Sequence, residues 1–247
     1  MKVLLACEES QAVCKEFRAF GHEAYSCDLY ECSGGCPEWH IKGDCLPILN
    51  GKCEFETENG DKHKIDTKWD MIIAFPPCTH LAVSGARHFE KKRESGVQSE
   101  AIQFFAKMLN ADCDRIAVEN PINIISGDYI KTYYPKLCEK YGFPKKQNQI
   151  IQPYMFGDEF EKSTCLWLKG LPLLKPTKIV GKGEFFEWTD KKTGKTKRQP
   201  KWYFDALKTA KSTEERGKIR SKTFLGIAKA MAQQWGGLTH ANEDKGE

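Results

Sequence analysis

The sequence predicts an α/β fold, a doubly wound and mostly parallel sheet that carries a small basic β-hairpin lobe. Three observations predict it. Short apolar runs (Val3–Ala6, Met71–Phe75, Ile116–Val118) show no polar alternation, as expected of strands buried on both faces. Val97–Leu109 sets Val97, Ala101, Phe104, Phe105 and Met108 on one helical face between two of those runs, which makes a right-handed crossover. Phe185–Phe204 sets aromatic residues on two arms around a Lys-Lys-Thr-Gly-Lys tip, the pattern of a hairpin.

The bulk numbers bound the class. A chain of 247 residues, 40% hydrophobic and 29% charged, suits one large soluble domain or a domain with an appended lobe. No apolar run reaches the ~20 residues of a membrane span, and Met1-Lys2 leads straight into a strand, without a signal peptide. Eleven scattered cysteines fit reduced thiols, hence a cytoplasmic location. Residues 175–222 hold 15 Lys+Arg against 6 Asp+Glu, a net +9 in a chain of +4, so the remainder carries −5. That asymmetry is the footprint of a nucleic-acid-binding lobe or of an ordinary solvated hairpin.

The opening reads as a βαβ unit: strand Val3–Ala6, helix Glu9–Phe20 closed by Gly21-His22, and strand Ala24–Cys27 ending at Asp28. An acid at that place accepts hydrogen bonds from ribose hydroxyls. The loop CEES (7–10) has no glycine, which argues against a dinucleotide and its pyrophosphate. Cys27, Cys32, Cys36, His40, Cys45 and Cys53 cluster without the paired C-x2-C knuckles of structural zinc sites, so no metal is expected. Lys52–Lys68 reads as a surface hairpin around Gly60-Asp61.

The chain is organised around Trp69–Gly85. Met71–Phe75 is a buried strand, and Pro76-Pro77 stops it and stiffens the exit. Cys78 then stands just past the carboxyl end, the edge where open α/β sheets bind ligands. A thiol there is a candidate nucleophile, or one more cysteine packing a loop. The strand Ile116–Val118 ends in Glu119-Asn120-Pro121 on the same edge, so Cys78 and Glu119 are expected in one cleft. A thiol and a carboxyl converging on a planar ring suit addition to C6 of a pyrimidine, with the carboxyl on its N3 side. The bland alternative for Glu119 is a capping or surface carboxylate.

FPPC (75–78) and ENP (119–121) resemble the Pro-Cys and Glu-Asn motifs of DNA (cytosine-5)-methyltransferases, in the right order and separation. The resemblance is closest to small divergent members of phages and prophages, and it covers most of the chain. It implies the S-adenosylmethionine-dependent methyltransferase type of fold, with S-adenosyl-L-methionine as donor and DNA as partner. On it, Ala6, Cys7, Glu8, Glu9 and Ser10 wrap the methionine end, Asp28 meets the ribose and Asp44 the adenine. Phe75, Pro77 and Thr223 complete that pocket, although Asp44 also suits a plain turn. Ser84, Arg87, Lys91, Lys92 and Arg93, in the polar stretch after Cys78, correspond to the loop that closes over a flipped cytosine, or to a solvated helix start.

Ile130–Gly142 reads as a helix around a proline, and Gln149–Gln152 and Cys165–Leu168 as strands. Setting Gly157 on the glycine of the family's Gln-x-Arg-x-Arg region puts Phe160, Lys162 and Thr164 on those three positions. Lys162 and Thr164 thereby join Cys78 and Glu119 as candidate catalytic residues. Lys191, Lys192, Lys195, Lys197 and Arg198 of the hairpin are candidate phosphate contacts, and Trp188, Trp202 and Tyr203 pack the hairpin or stack bases. Ser221–Trp235 reads as an amphipathic helix, capped by Ser221 or Thr223 and ended by Gly236-Gly237.

The expected organisation is a catalytic domain (1–174), a basic hairpin lobe (175–220), a returning helix (221–238) and a disordered tail (239–247), in a monomer. The expected activity is methyl transfer to C5 of cytosine in DNA. Two alternatives stay open: a non-catalytic DNA-binding protein that kept the fold, and a pyrimidine C5-transferase acting on free nucleotide or with a modified donor. The glycine-free first loop and Thr164 favour the former.

Overall fold

In a computed structural model of the chain, the described residues are 1–212, 215, 217, 219, 221 and 223–237. Seven strands form the central sheet: β1 (Lys2–Ala6), β2 (Glu23–Asp28), β3 (His40–Lys42), β6 (Met71–Ala74), β7 (Ile116–Pro121), β8 (Gln149–Ile151) and β9 (Thr164–Lys169). Their order is β3-β2-β1-β6-β7-β9-β8. β1 pairs in parallel with both β2 and β6, and β6 in parallel with β7. β9 enters antiparallel between β7 and β8. The sheet is thus the doubly wound, mostly parallel one expected. Its reversal of order between β1 and β6 creates a crevice at the carboxyl edge.

Burial on both faces explains the apolar runs. Leu4, Ala6, Ile72, Ala74, Ile116 and Val118 face a layer built on α3 (Val97–Leu109), through Ile102, Phe105 and Ala106. Val3, Leu5, Met71, Ile73 and Ala117 face the other layer. There α1 (Ala12–Ala19) supplies Val13 and Phe17, and α7 (Leu225–Met231) supplies Ile227 and Met231. Each of the Val, Leu, Ile, Met and Phe side chains among them, taken fully out of water, contributes about 1.5–3 kcal/mol.

Several boundaries differ from the sequence reading, each for a local reason. α1 starts at Ala12 rather than Glu9, because Gln11 takes a left-handed φ of 56° and Glu8 caps the helix from outside. The helix expected at 130–142 is two, α4 (Asp128–Tyr133) and α5 (Pro135–Tyr141), since Pro135 cannot continue the first. The hairpin pairs β10 (Phe185–Thr189) with β11 (Thr196–Pro200), and α6 (Lys201–Thr209) follows at once, so Trp202, Tyr203 and Phe204 are helical. α7 begins at Leu225 with extended Phe224 at its N-cap and no side-chain cap, so the expected Ser221 or Thr223 cap is not made. A π turn (Ala232–Gly236) follows it and buries Trp235. The hairpin expected within 52–68 is β4 (Cys53–Glu56) paired with β5 (Lys62–Ile65). The polar segment after Cys78 forms a 3-10 stretch (Val83–His88) and then α2 (Phe89–Glu94). The tail at 239–247 lies outside the described residues. Among those described, no helix is long and apolar enough to cross a membrane.

Candidate active site

β6 and β7 run side by side in parallel, with Ala74 opposite Val118, so Phe75–Cys78 leave the sheet at the edge where Glu119 lies, still in β7 and opposite Leu166 of β9. A buried clasp joins the two exits. Asn120, 1% exposed, donates from Nδ2 to the Pro76 carbonyl at 2.7 Å and accepts from Asn123 Nδ2 at 3.0 Å. Pro76 and Pro77 offer no backbone N–H, so a side chain must reach for this segment through its carbonyl. A second lacing runs beyond Cys78. Val83 donates its amide to the Ile122 carbonyl (3.1 Å), and Ile124 donates to that of Leu81 (3.1 Å). Buried Gln98 of α3 donates to the His80 carbonyl at 2.9 Å, while its oxygen accepts from Tyr129 and Tyr134, each at 2.9 Å. Cys78 itself is half-buried, and its carbonyl opens a turn by accepting from the amides of Leu81 and Ala82.

Burial pushes the Glu119 carboxyl above the usual carboxylate range, and the Lys162 ammonium pulls it partly back. Lys162 lies over the Phe224 ring, 5.7 Å from its centroid, and Phe224 packs with Phe160 and Trp202. The Lys162 charge thereby acts on Glu119. Thr164 is placed differently: it is a buried sheet residue between Pro121 and Ile151, and its hydroxyl donates to the Lys162 carbonyl at 3.3 Å.

The edge of β1 and β2 gathers the candidate donor-binding residues. Cys7 takes φ 61° and so makes the turn without glycine. Its Sγ lies 4.0 Å from that of Cys45. Ala6 is buried in the sheet and its carbonyl accepts from the Phe75 amide at 2.9 Å. Asp28 is half-buried, accepts from the Tyr30 amide at 3.1 Å, and is raised by burial, with the Glu9 charge adding to the rise. Glu8 points the other way. It is 3% exposed and accepts from the α1 amides of Val13 (2.6 Å) and Cys14 (3.2 Å). Ser10 stands beside the same helix start. Asp44 is exposed and closes a turn onto the Leu46 amide at 3.0 Å. Pro77 is exposed and Phe75 half-buried, while Thr223 adjoins the N-cap of α7. His40 is hydrogen-bonded through both ring nitrogens, to Ser26 and to the Tyr30 carbonyl. Among the described residues no three His, Cys, Asp or Glu side chains are grouped to hold a metal ion.

The cations after Cys78 divide. Ser84, Arg87 and Lys91 are exposed. Arg93 donates to the Tyr129 hydroxyl at 2.6 Å and lies 4.0 Å over the Tyr133 ring. Lys92 folds back onto the Thr79 carbonyl at 2.5 Å. In the hairpin, Lys191, Lys192, Lys195, Lys197 and Arg198 are all exposed, with Lys197 paired to Asp190 and Arg198 over Phe185. Phe186 stacks on Phe204 at 4.3 Å and also on Trp188. Asn120, Gln98 and Asn123 are the site residues that sequence reading missed. The Asn next to Glu119 was visible, but its partner 44 positions away in sequence was not.

No family model matches this chain, and no curated protein matches it. Among solved structures it is similar to a prophage-encoded E. coli protein proposed to be a DNA modification methyltransferase. The two share 12% identity with a TM-score of 0.45, over 73% of this chain and 52% of that one. This chain therefore spans about half the length of that structure.

Proposed function

We propose that this chain transfers a methyl group to C5 of cytosine in DNA through a covalent adduct between Cys78 and C6. The observation that supports the reading is the sheet edge at which β6 ends ahead of Cys78 and its parallel neighbour β7 carries Glu119, with Asn120 of β7 tied to Pro76. Addition of the Cys78 sulfur to C6 pushes electron density toward N3 and C5. Glu119, kept protonated more readily by burial, donates to N3 and stabilises the resulting enamine. Lys162 supplies positive charge beside that carboxyl. Once C5 has used that density to take the methyl group, it carries both methyl and hydrogen, and loss of the C5 proton to a base or solvent re-forms the C5–C6 double bond, breaks the sulfur–C6 bond and returns Cys78. The ring's face is hidden inside a base stack, so the cytosine must first be flipped out.

S-adenosyl-L-methionine fits the edge of β1 and β2, where a half-buried Asp28 can accept from ribose hydroxyls and the turn at Cys7 passes without glycine. When bound there it supplies an electrophilic methyl carbon. Asp28, Glu9 and the backbone of residues 6–10 would hold and orient it, with Phe75 beside them. The exposed hairpin cations suit phosphates and the Phe186–Trp188 face suits stacking. A second reading, a non-catalytic DNA binder, is favoured by Thr164, whose place in the sheet brings no charge to the site.

The test is covalent trapping on DNA carrying 5-fluorocytosine, with S-adenosylmethionine, in wild type and Cys78→Ala. Fluorine does not leave as a proton does, so an active enzyme stalls as an adduct. A Cys78-dependent, donor-dependent adduct is expected. DNA binding without any adduct on DNA of varied sequence would replace this reading with the second.

A further inference from the structure

We propose that Lys92 holds Cys78 in its reactive thiolate form, which rests on the reading of Cys78 as the nucleophile. Lys92 lies on α2, fourteen positions after Cys78, on a face where a solvated lysine would ordinarily extend into water. Instead the side chain turns inward. Its ammonium donates to the carbonyl of Thr79, the residue next to Cys78, at 2.5 Å. The ammonium also lies 5.7 Å from the centroid of the buried Phe89 ring. Gly85 leaves room for it: a Cβ at that position would stand 3.3 Å from Nζ.

Taking an ammonium even partly out of water is unfavourable unless something answers its charge. Among the described residues Lys92 makes no ion pair with a carboxylate. The ammonium sits on the carbonyl of the residue next to Cys78, and the two groups interact there: burial lowers the affinity of Lys92 for its proton, and Cys78 raises it. An electrostatic interaction between two groups acts equally on both, so the ammonium favours the sulfur's anion by the same coupling. The other titratable groups around the turn do not substitute for it. His80 is held toward its neutral form by burial and by Lys92 itself, with Glu100 of α3 opposing. Glu119 of β7 is driven by burial toward its neutral form. Arg93 is turned to Tyr129 and Tyr133. Lys92 is therefore the cation assigned to the nucleophile, rather than one of the loop's phosphate contacts.

The experiment is the pH profile of Cys78 alkylation by iodoacetamide, followed on the Cys78 peptide by mass spectrometry. Wild type, Lys92→Met, Lys92→Gln and Lys92→Arg are compared, each with its circular dichroism spectrum recorded. Methionine keeps the apolar stem against Phe89 and removes only the charge. The midpoint is expected to rise in Lys92→Met and Lys92→Gln, with alkylation at pH 7 slowed about three- to tenfold. Lys92→Arg should stay near wild type. Superimposable wild-type and Lys92→Met profiles, or an arginine variant shifted as far as methionine, would overturn the proposal. Alkylation needs neither DNA nor donor, so a shifted profile stands even where no DNA adduct forms, and an unshifted one fails even where the adduct forms.

Discussion

Replacing Asn120 by alanine cuts the clasp between the two exits. The change removes the hydrogen bonds at 2.7 Å to the Pro76 carbonyl and at 3.0 Å from Asn123. The partners it strands are enclosed: Asn123 is 5% exposed, and Pro76 is buried. An unmade hydrogen bond on a buried group costs about 1–3 kcal/mol, so two such groups, partly relaxed, predict a loss of about 2–4 kcal/mol. With a urea m-value of about 3 kcal/mol/M, the unfolding midpoint should fall by roughly 1 M, read from tryptophan fluorescence. The functional loss should be larger in proportion, because Cys78 is then no longer fixed against Glu119. A misplacement of about 1 Å costs on the order of a hundredfold in rate, measured as adduct formation on 5-fluorocytosine DNA. Asn123→Ala, alone and with Asn120→Ala, completes a double-mutant cycle in which the pair should couple. An Asn120→Ala protein with unchanged midpoint and unchanged trapping rate would refute the clasp as the element that aligns the site.

Three further outcomes follow from the same geometry. Glu119 keeps its proton to a higher pH than an ordinary carboxyl, so trapping should decline on the basic side as that proton is lost; Lys162→Met, which removes the opposing pull, should move that decline upward. A basic limb that stays put would separate Lys162 from Glu119. Burial pushes Glu8 up to about 8 from an unfolded value near 4.5, so the native state binds this proton more tightly and stability falls as pH rises between them. Glu8→Gln should lack that fall, about 3–5 kcal/mol over the window at 1.36 kcal/mol per unit; parallel stability–pH curves from urea unfolding would contradict it. Gly226→Ala would place a Cβ 2.0 Å from the Phe156 carbonyl oxygen, at the residue whose amide donates to Asp158. It should destabilise by about 2 kcal/mol or more through displacement of α7, seen as a lowered thermal midpoint, and an unaltered midpoint would mean that the helix start is free to shift.

Much of the fold was legible in the sequence, because strands covered on both faces write themselves as uninterrupted apolar runs. β1, β6 and β7 are read that way, β2 from its place after the first helix, and α3 from its spacing. β3 (His40–Lys42) was invisible: three residues with a buried histidine carry no pattern, and the strand exists through pairing with Ser26–Asp28. The strands at the far edge were expected, but not the antiparallel entry of β9, which is a property of the chain's path rather than of residues 164–169. In the candidate site, the common edge at which β6 ends and β7 carries Glu119 was legible, because both strands begin as apolar runs. The tertiary uses of side chains were not. Glu8 looks like a loop acid and is a helix cap, Lys92 looks like a loop cation and folds inward, and Asn120 looks like part of a motif and is a clasp. Each of those roles is set by a partner that sequence does not identify.

The layer that joins α1 to α7 has a consequence for how the protein comes into being. Val13, Cys14 and Phe17 lie near the start of the chain, yet their cover includes Ile227, Met231 and Trp235 near its end. At about 5–20 residues per second, a ribosome takes roughly 10–40 seconds to make the intervening two hundred residues. Through that interval one side of the young sheet faces water or a chaperone, while the opposite side can close early against α3. The nascent protein is thus half-covered through that interval, and α7 completes the core rather than decorating it.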